Sequence, residues 1–165
     1  MNPQRLEFMV QSVIRLVRRG ATSNLLNIFE KNRPVEVAAV LKNLPRAERR
    51  TAFIVLFHHD IAKAAEAISE VPAEVAVKLF EALELDDLER ILGEMTPDDA
   101  AVLVDALPQD RRDELLAKMQ VPEKAEVEEL LHFPSETAGR IMTPNVLAMN
   151  EGLTIAEAVA QMQQG

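Results

Sequence analysis

Two pairs of adjacent aspartates offer the clearest candidate chemistry in this chain. Asp86 and Asp87, and likewise Asp98 and Asp99, each follow a junction between two apolar stretches. Hard divalent cations such as Mg²⁺ prefer oxygen ligands, and Mg²⁺ keeps most of its waters, so one or two carboxylates suffice to hold it. Acids at a helix start also interact favourably with the positive end of the helix dipole. The pairs therefore indicate either a cation-binding surface or a solvated acidic face.

The histidines do not have the spacing of a metal site. His58 and His59 are adjacent, so on a helix they point about 100° apart and do not chelate one ion as an i, i+4 pair would. His132 stands alone near a predicted helix end, where a cation is favoured. The chain has no cysteine, no Gly-x-Ser-x-Gly sequence and no glycine-rich phosphate loop. We therefore predict that it is not an enzyme.

The charge of the chain is acidic overall and unevenly distributed. The net charge is −9, but residues 1–20 carry four arginines against one glutamate, a net +3, so the remainder carries −12. An acidic body argues against nucleic acid as a partner, because phosphate binding needs a basic face. The acidity favours cations or basic partners, or it serves only to keep the protein soluble.

The apolar stretches are too short to cross a bilayer, since no run of 18 apolar residues is present. Glu7 interrupts the weak apolar run at the start of the chain, so that start is not a signal peptide. The segment Leu6–Arg19 is amphipathic and basic at its end. We interpret it as the first helix of a bundle, with contact to a membrane surface as the alternative.

A twelve-residue repeat must position the acids. Apolar residues recur at positions 71, 83, 95, 107 and 119, and the first four are each followed three residues later by an acid, namely Glu74, Asp86, Asp98 and Asp110. Twelve residues hold about two turns of helix plus a tight connector. Such short helices bury a core only when they stack. The repeat therefore predicts a superhelix whose unit is a helix hairpin of about 24 residues.

The helices before the repeat are longer. We expect one helix over residues 4–18, a break at residues 20–23 with Ser23 capping the next helix, and a last helix over residues 123–132 after Pro122. With no Trp, no Tyr and only six Phe, the core is predicted to be aliphatic, which suits helix packing. The predicted fold class is all-α, a right- or left-wound superhelix of short helix hairpins followed by an incomplete β-α fragment.

The C-terminal part of the chain carries a specific family resemblance. The segment Glu126–Gln163, EVEELLHFPSETAGRIMTPNVLAMNEGLTIAEAVAQMQ, resembles a domain junction in the MgtE family of magnesium transporters. Within it, TAGRIMTP is similar to the beginning of the first CBS domain of that family, and NVLAMNEGLTIAEAVAQMQ to the first strand and first helix of that domain. Upstream, DIAKAAEAISEVPAEVAVKLFEAL and MTPDDAAVLVDALP resemble the helical N-terminal domain of the family.

The resemblance implies a division of the chain into two parts. Residues 1–133 are expected to form the helical N-terminal, magnesium-sensing domain. Residues 134–165 are expected to form a linker and the first strand and helix of a truncated CBS domain. One strand and one helix do not close a CBS fold, so we expect the chain to be a fragment with no complete nucleotide site.

The resemblance also implies a function. In the family, the N-terminal and CBS domains lie in the cytosol as a dimer, and Mg²⁺ bridges acidic residues between them and favours the closed pore. This implies a regulatory domain at the cytoplasmic face of the inner membrane, with Mg²⁺ as cofactor. Its implied partners are the CBS domains of the same polypeptide, the transmembrane pore domain and a second copy, with no nucleic acid.

The implied metal ligands are Glu66, Asp98 and Asp99. Glu66 in AKAAEA and Asp98 in TPDD match family acids that face the bound ions. The next family acid, four residues after Asp98, is replaced here by Val102, a departure for which Asp99 or Asp105 would compensate.

Two other functions fit the same sequence. A helical-repeat scaffold for protein partners, similar to the flagellar switch protein FliG, predicts an exposed apolar groove and no response to magnesium. A CBS-containing regulator of an enzyme predicts nucleotide binding once the CBS domain is complete.

Overall fold

The structure is a computed structural model that describes residues 2–134, 137–142 and 149–162. Within these ranges the chain is helical and contains no strand, which confirms the predicted all-α class. The described helices are α1 Pro3–Arg18, α2 Thr22–Glu30, α3 Pro34–Asn43, α4 Arg46–His59, α5 Ile61–Ser69, α6 Ala73–Phe80, α7 Leu85–Gly93, α8 Pro97–Asp105, α9 Gln109–Lys118, α10 Val121–Leu131 and α11 Ile155–Met162, with a 3₁₀ turn over Ala138–Ile141.

Helices α1 to α4 form an N-terminal bundle. α1 packs against α2, α3 and α4, and α2 packs against α4. The prediction of an aliphatic core is wrong in one respect, because four of the six phenylalanines are fully buried: Phe29, Phe53, Phe57 and Phe80. Composition counts aromatic rings but does not place them, and each buried ring removes more apolar area from water than an aliphatic side chain does.

Helices α6 to α10 form the twelve-residue repeat. They begin twelve residues apart, at Ala73, Leu85, Pro97, Gln109 and Val121. Alternate helices pack together, α5 on α7, α6 on α8, α7 on α9 and α8 on α10. The junction residues Val71, Leu83, Leu107 and Met119 are buried, and Met95 is partly buried. The predicted stack of short helices is confirmed.

Two predicted helix starts are shifted. α2 begins one residue before Ser23, and its N-cap is Ala21, because the positive φ of Gly20 turns the chain just before it. α10 begins at Val121 and not after Pro122, since proline fits within the first turn of a helix, where its missing N–H has no intrahelical partner to lose.

Three junctions between consecutive elements are closed by an arginine of the element that follows, and we call them the capped junctions. The guanidinium donates hydrogen bonds to the last carbonyl oxygens before the junction: Arg49 to Leu41, Lys42 and Leu44, Arg112 to Asp105 and Leu107, and Arg140 to Leu130 and Phe133. Arg49 and Arg112 each stand four residues after a junction proline. The last carbonyls of a helix lack intrahelical partners and carry partial negative charge, so a cation placed there is stabilising.

Two other junctions carry alanine where the capped junctions carry arginine, and we call them the open junctions. Ala76 is the fourth residue of α6 and Ala100 is the fourth residue of α8, just as Arg49 is the fourth residue of α4 and Arg112 the fourth residue of α9. Both alanines are buried. Among the described residues, no arginine or lysine side chain donates a hydrogen bond to the carbonyls that end α5 and α7, the helices that precede these junctions.

The junction after α6 differs from both kinds, because its arginine comes from farther along the chain. Arg111, on α9, donates hydrogen bonds to the carbonyl oxygens of Phe80 and Leu83. Consecutive positions on α9 thus serve two helix ends, since Arg112 closes the junction after α8.

The C-terminal part is described over two short ranges. The predicted first CBS strand falls largely on residues 143–148, which lie outside the described residues. α11 occupies the position of the predicted helix, and its apolar residues Ile155, Val159 and Met162 are exposed. The 3₁₀ turn packs against α8 and α10. The division of the chain at residues 133 and 134 stays a prediction.

Candidate functional site

An open cleft of about 360 Å³ lies where the ends of α5 and α7 meet the starts of α3 and α8. Four acidic residues line it, Glu66, Glu70, Glu94 and Asp99, against one basic residue, Arg33. Both open junctions border the cleft, since α5 ends at one of them and α8 begins at the other. The excess of negative charge makes this cleft a place where a cation is favoured.

The structure brings two of the three predicted metal ligands together. Glu66, on α5, and Asp99, in the first turn of α8, both line the cleft. Asp98 is the neighbouring residue in that first turn but is not part of the cleft lining. Val102 follows one turn later and is 40% exposed. Asp99 is thus better placed than Asp98 to bind the same ion as Glu66.

Sequence reasoning missed two of the acidic residues of the cleft. Glu70 lies four residues after Glu66, at the C-cap of α5, and Glu94 is the C-cap of α7. The i, i+4 spacing of Glu66 and Glu70 is a signal that could have found the first. Glu94 reaches the cleft only through the packing of α5 on α7, which no local pattern reveals.

The acids of the cleft are not neutralised by neighbouring side chains. Within the described part of the chain, Glu66, Glu70, Glu94 and Asp99 form no ion pair. Like charges four residues apart on a helix repel each other by a few tenths of a kcal/mol. A cation bound beside these carboxylates would reduce the repulsion between them.

The cleft does not enclose a complete metal site by itself. Over residues 2–134, 137–142 and 149–162, no group of three or more His, Asp or Glu side chains is arranged to hold a metal ion. An ion bound by Glu66 and Asp99 would have to take its remaining ligands from water or from a second surface, which Mg²⁺ readily does.

Asp105 is engaged elsewhere. Its Oδ1 lies 3.3 Å from Arg112 Nη1 and its Oδ2 lies 2.7 Å from Arg140 Nη2. It also stands at the C-terminal end of α8, at the opposite end of that helix from Asp98 and Asp99. Of the two acids expected to compensate for Val102, Asp99 is the one that reaches the cleft.

The other aspartate pair is also neutralised. Asp87 Oδ1 lies 3.2 Å from Arg90 Nη1 within α7, and Asp86 pairs with Lys118 of α9. The helix-start interpretation of paired acids therefore suffices for Asp86 and Asp87. The pair at the start of α8 differs in that Asp99 lines the cleft and forms no ion pair among the described residues.

The histidines lie apart from the cleft lining. His59 Nε2 is 2.9 Å from Glu30 Oε1, and the ring of His58 packs edge-on against Phe57. His132 Nδ1 lies 2.6 Å from the carbonyl oxygen of Glu128 at the end of α10. Each histidine thus has a partner among the described residues.

A buried carboxylate shows the contrasting arrangement. Glu48 is 11% exposed, and Nε and Nη2 of Arg18 lie 2.8 Å and 2.7 Å from its Oε1. The hydrogen bond from Arg18 lowers the pKa of Glu48 below its usual value, and a bond to the backbone of Glu48 lowers it further. This ion pair connects the end of α1 to the start of α4. The Glu48 carboxylate is therefore already neutralised, unlike the acids of the cleft.

Comparison with known proteins identifies what the helical part is similar to. Residues 32–136 match the family model of the MgtE intracellular N domain. The chain is 30% identical over 159 residues to the magnesium transporter MgtE of Thermus thermophilus and 23% identical over 155 residues to that of Bacillus subtilis. The matches cover 93% and 94% of this chain but 34% of each relative. The chain therefore spans about a third of the length of the curated relatives it matches.

Two solved structures have a similar fold. The cytosolic domain of the Mg²⁺ channel MgtE in complex with ATP matches with a TM-score of 0.78 and 27% identity, covering 94% of this chain and 62% of that one. The soluble part of a magnesium transporter matches with a TM-score of 0.75 and 19% identity, covering 96% and 62%. In the described residues, no helix of the present chain combines the length and apolar character needed to cross a membrane.

Proposed function

The chain belongs to the family of the MgtE intracellular N domain, and we propose that it is the regulatory, magnesium-sensing domain of a magnesium channel or transporter. The family comprises transporter domains and is not an enzyme class. In the proposed role, Mg²⁺ held between the acidic cleft and the CBS domains of the same polypeptide favours the closed pore. The parent transporter is a homodimer with this domain at the cytoplasmic face of the membrane.

The observation that carries the proposal is the meeting of Glu66 and Asp99 in one cleft. The two residues come from different helices, 33 positions apart in the sequence, and the fold alone brings them to the same opening. Glu70 and Glu94 add two further negative charges that no side chain of the described residues pairs with. An opening of this kind concentrates cations more than the acidic surface around it does.

The physical basis of sensing is the balance between ion bridging and repulsion. One or two carboxylates hold a Mg²⁺ ion that keeps most of its waters, and a facing acidic surface supplies the rest of the shell. When the ion leaves, the two acidic surfaces repel each other. The association of the domains is therefore stable only while Mg²⁺ is present, and this makes the cleft a switch controlled by ion concentration.

The test is a Mg²⁺ titration over the millimolar range in two proteins. In the chain itself, backbone amide resonances near Glu66 and Asp99 are followed by NMR. In the full-length parent, protection from protease is followed, with Ca²⁺ and with NaCl at matched ionic strength as controls for ion type and screening. We expect saturable, Mg²⁺-dependent shifts confined to the cleft and saturable protection of the parent.

A matched pair of double variants assigns the response to the cleft. Glu66→Gln with Asp99→Asn removes two negative charges from the cleft, and we expect it to abolish most of the Mg²⁺-dependent protection. Glu74→Gln with Asp110→Asn removes two charges from the first turns of α6 and α9, outside the cleft lining, and should leave protection unchanged. Equal loss in both variants, or protection matched by NaCl, would leave a helical scaffold with a solvated acidic face.

A further inference from the structure

Arg140 is the most deeply buried charged side chain among the described residues, at 3% exposure. It does not belong to a helix of the stack but to the 3₁₀ turn Ala138–Ile141. Its Nη1 donates to the carbonyl oxygen of Leu130 at 2.9 Å, and its Nη2 lies 2.7 Å from Asp105 Oδ2. A buried guanidinium is tolerated only when it is paired and hydrogen-bonded. The segment after α10 thus places its own charge inside the helical domain.

Asp105 is the carboxylate that pairs with Arg140, and its position at the end of α8 is unfavourable unless a positively charged side chain lies beside it. It is the last residue of α8, where the negative end of the helix dipole disfavours a carboxylate. Two guanidinium groups offset this cost, since Arg112 binds its Oδ1 and Arg140 its Oδ2. Arg112 also donates to the backbone carbonyl oxygen of Asp105 at 2.9 Å. The end of α8 is therefore neutralised jointly by α9 and by the segment that follows α10.

The backbone of the turn fits this docked position closely. A Cβ atom on Gly139 would lie 2.5 Å from Cδ1 of the Phe133 ring, a distance that carbon atoms do not adopt without displacement. Thr137 closes the turn by donating from its Oγ1 to the carbonyl oxygen of Pro134 at 2.8 Å. Gly139 and Arg140 therefore serve one purpose, which is to seat residues 137–142 against α8 and α10.

We propose that Arg140 is a positioning residue that makes residues 137–142 a rigid extension of the helical domain. The mechanical boundary of the domain then lies at Met142 and not at the end of α10. The significance of this boundary rests on the proposed function. α8 carries Asp98 and Asp99 in its first turn and Asp105 in its last, so a single helix joins the acidic cleft to the point where the chain leaves the domain. A displacement of α8 at the cleft therefore also displaces residues 137–142.

The test uses trypsin, which cleaves after arginine and therefore reads the docking of Arg140 directly. The chain is digested under native conditions in EDTA, and initial cleavage rates are compared by mass spectrometry after Arg140 and after Arg19, which is exposed and lies between α1 and α2. We expect Arg140 to be protected relative to Arg19 in the unchanged chain. Without divalent ions, a failure of the proposed magnesium site leaves this outcome unaffected, so the two proposals fail separately.

Three substitutions leave the trypsin site intact and vary the docking. Asp105→Asn removes the negative charge that pairs with both Arg112 and Arg140, and it should raise cleavage after Arg140 roughly tenfold or more. Asp105→Glu keeps the charge and should restore most of the protection. Gly139→Ala, which forces the Phe133 ring to move, should raise the same cleavage while leaving both charged partners in place. Asp86→Asn, which removes an exposed ion-pair partner on α7, is the control and should change nothing.

The urea midpoint of each variant separates local undocking from global unfolding. The proposal holds if cleavage after Arg140 rises while cleavage after Arg19 and the midpoint change little. It is overturned if Arg140 is cleaved as fast as Arg19 in the unchanged chain, or if Asp105→Asn raises both cleavages equally. If Asp105→Asn does not fold, Gly139→Ala distinguishes the same two outcomes by itself.

Discussion

The capped and open junctions are similar turns between helices, and they differ in whether an arginine neutralises the end of the preceding helix. At the capped junctions an arginine binds the carbonyls that end the preceding helix, as Arg49 does for α3 and Arg112 for α8. At the open junctions the equivalent residues are Ala76 and Ala100, both buried. The fourth residue of the following helix thus distinguishes a closed, neutralised helix end from an open one.

The difference between the two kinds of junction determines where negative charge remains available. Next to the capped junction after α8, Asp105 is held by two arginines. Next to the open junctions, Glu66 and Asp99 line a cleft with no ion-pair partner among the described residues. The acidic cleft thus lies beside helix ends that no arginine or lysine of the described residues caps, although Arg33 is part of its lining.

The strongest test of this comparison is to transplant an arginine into an open junction. Ala100→Arg places a long cation at a buried position on α8, which packs against α6 and α10. We expect a loss of about 3 kcal/mol or more in the free energy of unfolding, from overpacking and from an unpaired buried charge. The measurement is urea denaturation followed by circular dichroism. A variant as stable as the parent chain would mean that the alanine does not keep the open junction open.

The reverse change removes a cap. Arg49→Met keeps the apolar stem but leaves the carbonyls of Leu41, Lys42 and Leu44 without their donor. We expect a loss of about 2 kcal/mol in the free energy of unfolding, because bonds from a charged donor contribute more than neutral ones. Arg50→Met, at the exposed neighbouring position, is the matched control and should stay within about 0.5 kcal/mol. Equal effects of the two substitutions would show that the capping bonds are not stabilising.

The paired acid Glu48 should give the next largest effect, and the effect should depend on pH. The hydrogen bond from Arg18 lowers the pKa of Glu48 in the folded chain. Its contribution to stability is therefore present above the ordinary carboxyl value of 4.5 and is lost as the pH falls through the lowered value. Glu48→Gln should be less stable than the parent chain at neutral pH, and the difference should shrink as the pH falls below 4.5. If the difference in the free energy of unfolding did not depend on pH, the effect of Glu48→Gln would come from packing and not from the charge of Glu48.

The smallest effect on stability is expected in the cleft itself. Glu66→Gln with Asp99→Asn removes like charges and breaks no ion pair among the described residues. In the absence of divalent ions, the free energy of unfolding should change by no more than about 0.5 kcal/mol. Urea denaturation in EDTA and in Mg²⁺ checks this. A large loss in EDTA would mean that these acids are structural, which would remove the main support for the cleft as an ion site.

Much of the fold could be predicted from the sequence because the repeat is local. The twelve-residue spacing of apolar residues and the prolines at the junctions indicated short helices, and the starts of α6 to α10 follow that spacing. The boundary of α10 was missed because proline is compatible with the first turn as well as with the residue before it. The burial of the phenylalanines was missed because composition carries no positional information.

The candidate site could be predicted only in part. Glu66 was reached through the family resemblance, and Asp99 as a replacement for the family acid that is Val102 here. Asp98, which the resemblance matched, does not line the cleft, and the cleft itself depends on how α5, α7 and α8 stack. The engagement of Asp105 could not be foreseen, since its partner Arg140 lies 35 residues away and outside the repeat. The contrast between Arg112 and Ala100 was visible in the sequence, but its meaning depends on knowing which carbonyls lie beside each position.

The packing of alternate helices has a consequence for how the chain folds. Each helix of the repeat contacts partners that begin about 24 residues away along the chain, so every contact closes a short loop. Chains dominated by such local contacts have low contact order and fold quickly. Their stability is close to a sum over neighbouring units, so opening proceeds unit by unit from an end of the stack. In hydrogen exchange, protection should accordingly decline stepwise from the middle of the stack toward α10.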